Sequence, residues 1–150
     1  MSDKQHMRMQ EKVILRVGAK ILIPYILLFA FYVQFHGDFG PGGGFQAGVI
    51  FAAALILYAL IFGLEAMHQV APRRVLEVAM AAGVLLYGGT GVLTMALGGN
   101  FLDYDVLAHH HGQHYGILLV EGGVGLAVAS TMTVLYSQFA GRPTEAEGGA

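Results

Sequence analysis

The sequence contains no cysteine, which excludes disulfide frameworks, thiolate metal sites and cysteine nucleophiles together. Charge is scarce as well. Only 12% of the 150 residues are Asp, Glu, Lys or Arg, against about 25% in a soluble domain. A formal net charge of -2 gives no pull toward nucleic acid, and no basic stripe interleaved with aromatics is present to bind one. What fills the chain instead is apolar: 55% hydrophobic residues and a mean hydropathy of +0.60. A surface of that kind has the bilayer as its natural solvent.

Crossing a hydrocarbon core of about 30 Å takes about 20 helical residues, and four segments reach that length. The first runs from about Val13 to Phe35, with Arg16 and Lys20 near its start and Pro24 expected to kink it. Its polar, basic lead-in resembles a secretory signal, but the apolar run is too long and lacks a small-residue cleavage site, so it is expected to be retained. The second covers residues 45–64 without a charge. The third runs from about Arg73 to Leu97, with Pro72 expected in its first turn, and the fourth from about Tyr115 to Phe139. The expected fold is therefore an all-α integral membrane protein, a bundle of four transmembrane helices forming one domain over residues 1–143. The acidic tail, 144–150, is expected to be disordered. Four spans leave no room for a soluble catalytic domain, and an enzyme is not expected.

All eight Lys and Arg fall on one side of this arrangement: Lys4, Arg8, Lys12, Arg16 and Lys20 at the start, Arg73 and Arg74 between the second and third spans, and Arg142 at the tail. The opposite loops hold Asp38, Asp103 and Asp105 with five histidines and no Lys or Arg. The positive-inside rule then predicts both termini in the cytoplasm.

Between the first two spans lies His36-Gly37-Asp38-Phe39-Gly40-Pro41-Gly42-Gly43-Gly44-Phe45-Gln46-Ala47-Gly48. A phosphate-binding loop would need Gly-Lys-Ser/Thr after its last glycine, and Phe45-Gln46 stands there instead. Three glycines after a proline suit a tight, closely packed turn. Its backbone N–H groups, with Asp38, are candidates to line an ion entrance. Glu121 is the one acid within the fourth span, about two turns from its start, or roughly 9 Å at 1.5 Å per residue. An ionised carboxylate at a helix centre costs roughly 2.5 to 3.5 kcal/mol, so Glu121 is expected to be protonated, paired or facing water. Gly125 and Ala129 follow it at four-residue spacing, a small stripe suited to close helix contact. Intramembrane acids are functional by default, and Glu121 is accordingly a candidate proton or cation relay; the alternative is a buried group that fixes packing. Glu77 is expected to cap its helix beside Arg73 and Arg74.

The run His109-His110-His111-Gly112-Gln113-His114, with Asp103 and Asp105 before it, carries metal-ligand chemistry in principle. The zincin pattern needs Glu where His111 stands, so hydrolysis is not supported. A solvated loop gaining charge below about pH 6.5 is the preferred reading. No histidine lies mid-helix for haem, and neither metal nor cofactor is expected.

The run His36, Pro41-Gly42-Gly43-Gly44-Phe45-Gln46 and Gly48, opening an apolar helix, resembles the signature of the MnhB/MrpB family, small membrane subunits of Mrp-type multisubunit cation/proton antiporters. The likeness extends to the length, the four helices, the Asn100-Phe101-Leu102-Asp103-Tyr104 stretch and a Gly-rich last helix with an acid. It implies a non-enzymatic, multi-pass subunit of the cell inner membrane, partnered by other Mrp-like subunits and the lipid bilayer. The complex would exchange Na+ for H+, with Glu121, Asp38 and His36 as relay candidates and Pro41 to Gly48 as the positioning motif. The alternatives are an antiporter-like subunit of a redox-driven, hydrogenase-type complex, a purely structural spacer, and a self-sufficient transporter.

Overall fold

A computed structural model describes residues 3–37, 41–104 and 112–142. Five helices account for most of them: α1 (Asp3–His36), α2 (Gly44–Phe62), α3 (Leu64–Val70), α4 (Arg73–Ala96) and α5 (Gly112–Ala140). Four carry stretches long and apolar enough to cross a membrane, at Val13–His36, Gly44–Phe62, Arg73–Ala96 and Gln113–Ala140. The acidic tail lies outside the described residues.

The helix ends follow local chemistry. α1 continues through Pro24, which leaves the Lys20 carbonyl without its usual N–H partner. α2 stops at Gly63, whose φ of 98° lies in the region that favours glycine, and the chain turns there into the short α3. That helix was not expected; at seven residues it is too short for a span, and its anchor, Met67, is fully buried. Pro72 sits at the N-cap of α4 rather than within its first turn. Glu77 is not in that turn either. It accepts from Arg73 Nε at 2.8 Å, an exposed pair four residues apart that takes the place of the expected cap. With the Gln138 amide turned so that its oxygen faces Arg73, the same guanidinium also donates to Gln138 at 2.8 Å, tying the start of α4 to the end of α5.

The helices are not packed in chain order. α1 lies along α2, α2 along α5 and α5 along α4, while α1 meets α5 only lightly. The last helix is thus an inner one, beside α2. Its contacts are close because they are made of small residues: a methyl group added at Gly83 would lie 2.6 Å from the Ala127 nitrogen, and one at Gly48 2.6 Å from the Gly125 carbonyl. In lipid, packing rather than hydrophobicity holds helices together, and glycine lets the backbones approach. The buried hydroxyls return their protons to their own helices, Thr90 to Leu86, Thr133 to Ala129 and Ser137 to Val134, at 2.7–2.8 Å, as a medium without water requires. The large side chains point outward, Leu85 at 72% and Ile14 at 70% exposure, the pattern of a lipid-facing surface. A cavity of about 560 Å³ lies among Ala30, Gln34, Ala79, Gly122, Leu126 and Ser130.

After α4 the chain folds back on the helices it joins. Phe101 packs directly on Gly91, and Tyr104 on Gly116. Leu102 adopts φ 62°, a rare conformation for a residue with a γ-branched side chain. Its N–H donates to Thr94 Oγ1 at 3.0 Å, while that fully buried hydroxyl donates to the Gly91 carbonyl at 2.8 Å. Burial, and then the nearby Tyr87, raise the Tyr104 phenol above its usual 10.0. The fold therefore favours the neutral phenol, a contribution present below pH 10 and lost as the pH climbs through the raised value. Thr94→Val keeps the shape of Thr94 and strands the Leu102 N–H, at a cost of about 1–3 kcal/mol. Limited proteolysis within residues 97–104 is expected to quicken in this variant; an unchanged cleavage rate would show that Thr94 does not hold the loop.

Candidate functional site

The turn between α1 and α2 is built by backbone. Gly43 donates its N–H to the Val33 carbonyl at 3.2 Å, and its own carbonyl accepts from Ala47 at 3.0 Å, opening α2. Gly43 has φ 116° and ψ 174°, again a glycine conformation. Gly42 lies so close to the end of α1 that an added methyl would stand 2.9 Å from the Val33 carbonyl. Sequence alone supplies a tight turn here; the structure supplies what the turn is tight against.

That object is Glu121. A methyl at Gly37 would lie 2.7 and 2.8 Å from the two carboxylate oxygens, and one at Gly43 3.1 Å from Oε1. A methyl at Gly44 would run into the Glu121 carbonyl itself. The glycines thus leave room for one carboxylate and for the backbone that carries it. Below this level the contact continues, with Gly48 against Gly125, Val128 and Ala129.

Glu121 sits nine residues into α5, which begins at Gly112, yet it is level with the end of α1 and the start of α2. Depth counted along one helix misleads, because α5 begins well before its neighbours do. The carboxylate is partly buried under the loop rather than at mid-bundle.

Among the other candidates, His36 closes α1 with its ring stacked on Tyr32 at 5.1 Å between centroids. Pro41, Phe45 and Gln46 are exposed, whereas Gly43, Gly44 and Gly48 are buried. Asp38 lies outside the described residues, as do Asp105 and His109 to His111. Among the described residues no three potential metal ligands come together.

One residue was missed. Gln34, two residues before His36, brings its Oε1 within 2.5 Å of a methyl placed on Gly125, and its buried Nε2 has no hydrogen-bond partner among the described residues. An amide donor in that state is costly, and it lies one turn below the carboxylate's glycine cradle. The only signal in the sequence was a lone amide in an apolar run.

A cradle of glycines around an intramembrane acid offers oxygen atoms at a place where the bundle meets its loops. Such a carboxylate can take up and release a proton, or hold a monovalent cation beside backbone carbonyls.

Residues 14–134, which include every element of this cradle, match a family model described as "Domain related to MnhB subunit of Na+/H+ antiporter". The chain belongs to the MnhB family. Similar proteins named "Putative antiporter subunit mnhB2" occur in Staphylococcus aureus strains MRSA252 and Newman, each 33% identical over 141 residues, covering 89% of this chain and 98% of the relative. As an MnhB-family member with four apolar helices of spanning length, the chain is a multi-pass protein of the plasma membrane.

Proposed function

We propose that this chain is a membrane subunit of a Na+/H+ antiporter complex in which Glu121 relays a proton or a monovalent cation. One observation carries the second half of this reading: both Glu121 oxygens face Gly37, and Oε1 also faces Gly43, positions where even a methyl group would crowd them. A side chain needed only for helix spacing has no use for a cradle shaped to its carboxyl end. The family supplies the first half, and its members are transport subunits rather than enzymes.

The reading has a direction. The basic residues all belong to the end holding the N-terminus, α3 and Arg142, which the positive-inside rule puts in the cytoplasm. The glycine turn then faces outward, where Glu121 exchanges protons with the external medium while other subunits complete the path. His36 and Asp38 flank Gly37 in sequence and are the next carriers in line.

The test is reconstitution of the whole complex with and without this chain, reading Na+-dependent proton flux in sealed vesicles. Flux is expected with the chain present, lost without it and regained on adding it back. Flux from this chain alone would overturn the subunit reading.

A further inference from the structure

The amide of Gln34 occupies a place that the fourth span leaves free. Residues four apart are neighbours on a helix surface, so the position on α5 placed to pair with Glu121 is 125. Gly125 has no side chain there, and the Gln34 Oε1 stands 2.5 Å from where its Cβ would be. α1 thereby supplies the polar group that α5 omits, one turn below the acid, or about 6 Å at 1.5 Å per residue.

Packing does not account for that amide. Its Nε2 is buried and has no acceptor among the described residues, which is costly in a medium without water. An apolar side chain of the same length would fill the space without that cost. A carboxylate arriving from one turn above would satisfy the donor instead.

The two sides of Glu121 also differ in what they face. Above it is the glycine turn, with Gly37 and Gly43. Below it, Gln34, Gly122 and Gly125 border the cavity of about 560 Å³. Among the described residues lining that cavity, Gln34 and Ser130 are the polar ones. Gln34 is level with Gly125, whereas Ser130 is five positions further along α5, so the amide is the first polar group the acid meets there. The packed elements bring few titratable groups to this end: His36 on α1, Tyr87 on α4, and His114 and Tyr115 on α5. α2 carries only Tyr58, near its far end, and Arg73, Arg74 and Glu77 lie at the opposite end of α4. None of these lines the cavity.

We propose that Gln34 is the positioning residue of the relay. Glu121 moves between the glycine cradle and the Gln34 amide, and Nε2 donates to its carboxylate in the second position, beside the cavity. The acid thus turns from the loop side to the interior of the bundle by a movement of its own side chain. The inference rests on Glu121 being a relay.

Na+-dependent proton exchange by the whole complex in sealed vesicles, normalised to the amount of assembled complex, tests it with two variants. Gln34→Met keeps the length and helix preference of glutamine and removes the donor. Exchange is expected to fall about tenfold or more, as loss of a hydrogen bond to a charged group implies, with the thermal midpoint unchanged or raised. Gln34→Glu separates positioning from packing, because a protonated carboxyl can donate as the amide does and an ionised one only accepts. Its exchange is expected to approach wild type at acidic pH and to be lost as the pH rises. Wild-type exchange in Gln34→Met, or a loss in Gln34→Glu that is the same at every pH, overturns the proposal. Glu121→Gln in the same assay tells the two readings apart. Full exchange in that variant would remove the relay and this inference with it, whereas an inactive Glu121→Gln beside a fully active Gln34→Met would remove the role of Gln34 alone.

Discussion

Glu121→Gln is expected to reduce cation/proton exchange by the assembled complex about 100-fold or more, while leaving the amount of assembled complex unchanged. Gln has the size of Glu and fits the same glycine cradle, so packing is preserved. What is lost is the group that takes and gives a proton, and proton transfer by a positioned side chain contributes about 10²–10⁴-fold. Gly37→Ala approaches the same site from the other side. Its methyl would stand 2.7 and 2.8 Å from the carboxylate oxygens, and the flexible end of Glu121 can swing away from it. Exchange is therefore expected to fall with assembly intact. Proteoliposome flux across a range of pH checks both variants. If Glu121→Gln retained wild-type exchange throughout, the carboxylate would be a packing group and the chain a spacer.

Gly44→Ala is expected to act on the fold instead. The added methyl, fixed rigidly to its own backbone, meets the backbone carbonyl of Glu121, so no side-chain rotation relieves it. α2 and α5 must separate, and overpacking of this kind costs about 1–3 kcal/mol, equivalent to a fall in thermal midpoint of about 2–12 °C for a chain of this length. Gly88→Ala is the control, since a methyl there meets nothing within 4 Å and alanine favours a helix interior by about 0.5–1 kcal/mol. Size-exclusion profiles of detergent-purified protein after heating compare the two. Equal stability would mean that the α2–α5 contact is looser than described.

Hydropathy and length reveal the four spans because a bilayer imposes both on any helix that crosses it. α3 escapes that logic: seven residues beside an apolar run read as its fraying end, and the break depends on the φ of Gly63. The glycine run announces a tight turn, but a sequence cannot say which distant residue fills the space glycine leaves. Glu121 stood out as an acid in an apolar helix, and its closeness to Gly37 and Gly43 became visible only with the fold. Likewise the hydroxyl of Thr94 reads as an ordinary small residue until Leu102 is found folded back on it, and Gln34 reads as chance until Gly125 lies beside it. The order of the helices was also hidden, because neighbours in sequence need not be neighbours in space.

That order has a consequence for how the protein is made. Helices enter the membrane from the N-terminus onward, so α1 and α2 can pair as soon as both are inserted. α4 packs chiefly on α5, and while α5 is still in the ribosome α4 waits with its glycine face turned to lipid. The glycine turn is equally empty until Glu121 arrives from the final span. Synthesis that stops short of α5 therefore yields a hairpin and an orphan helix, a product suited to recognition by membrane quality control.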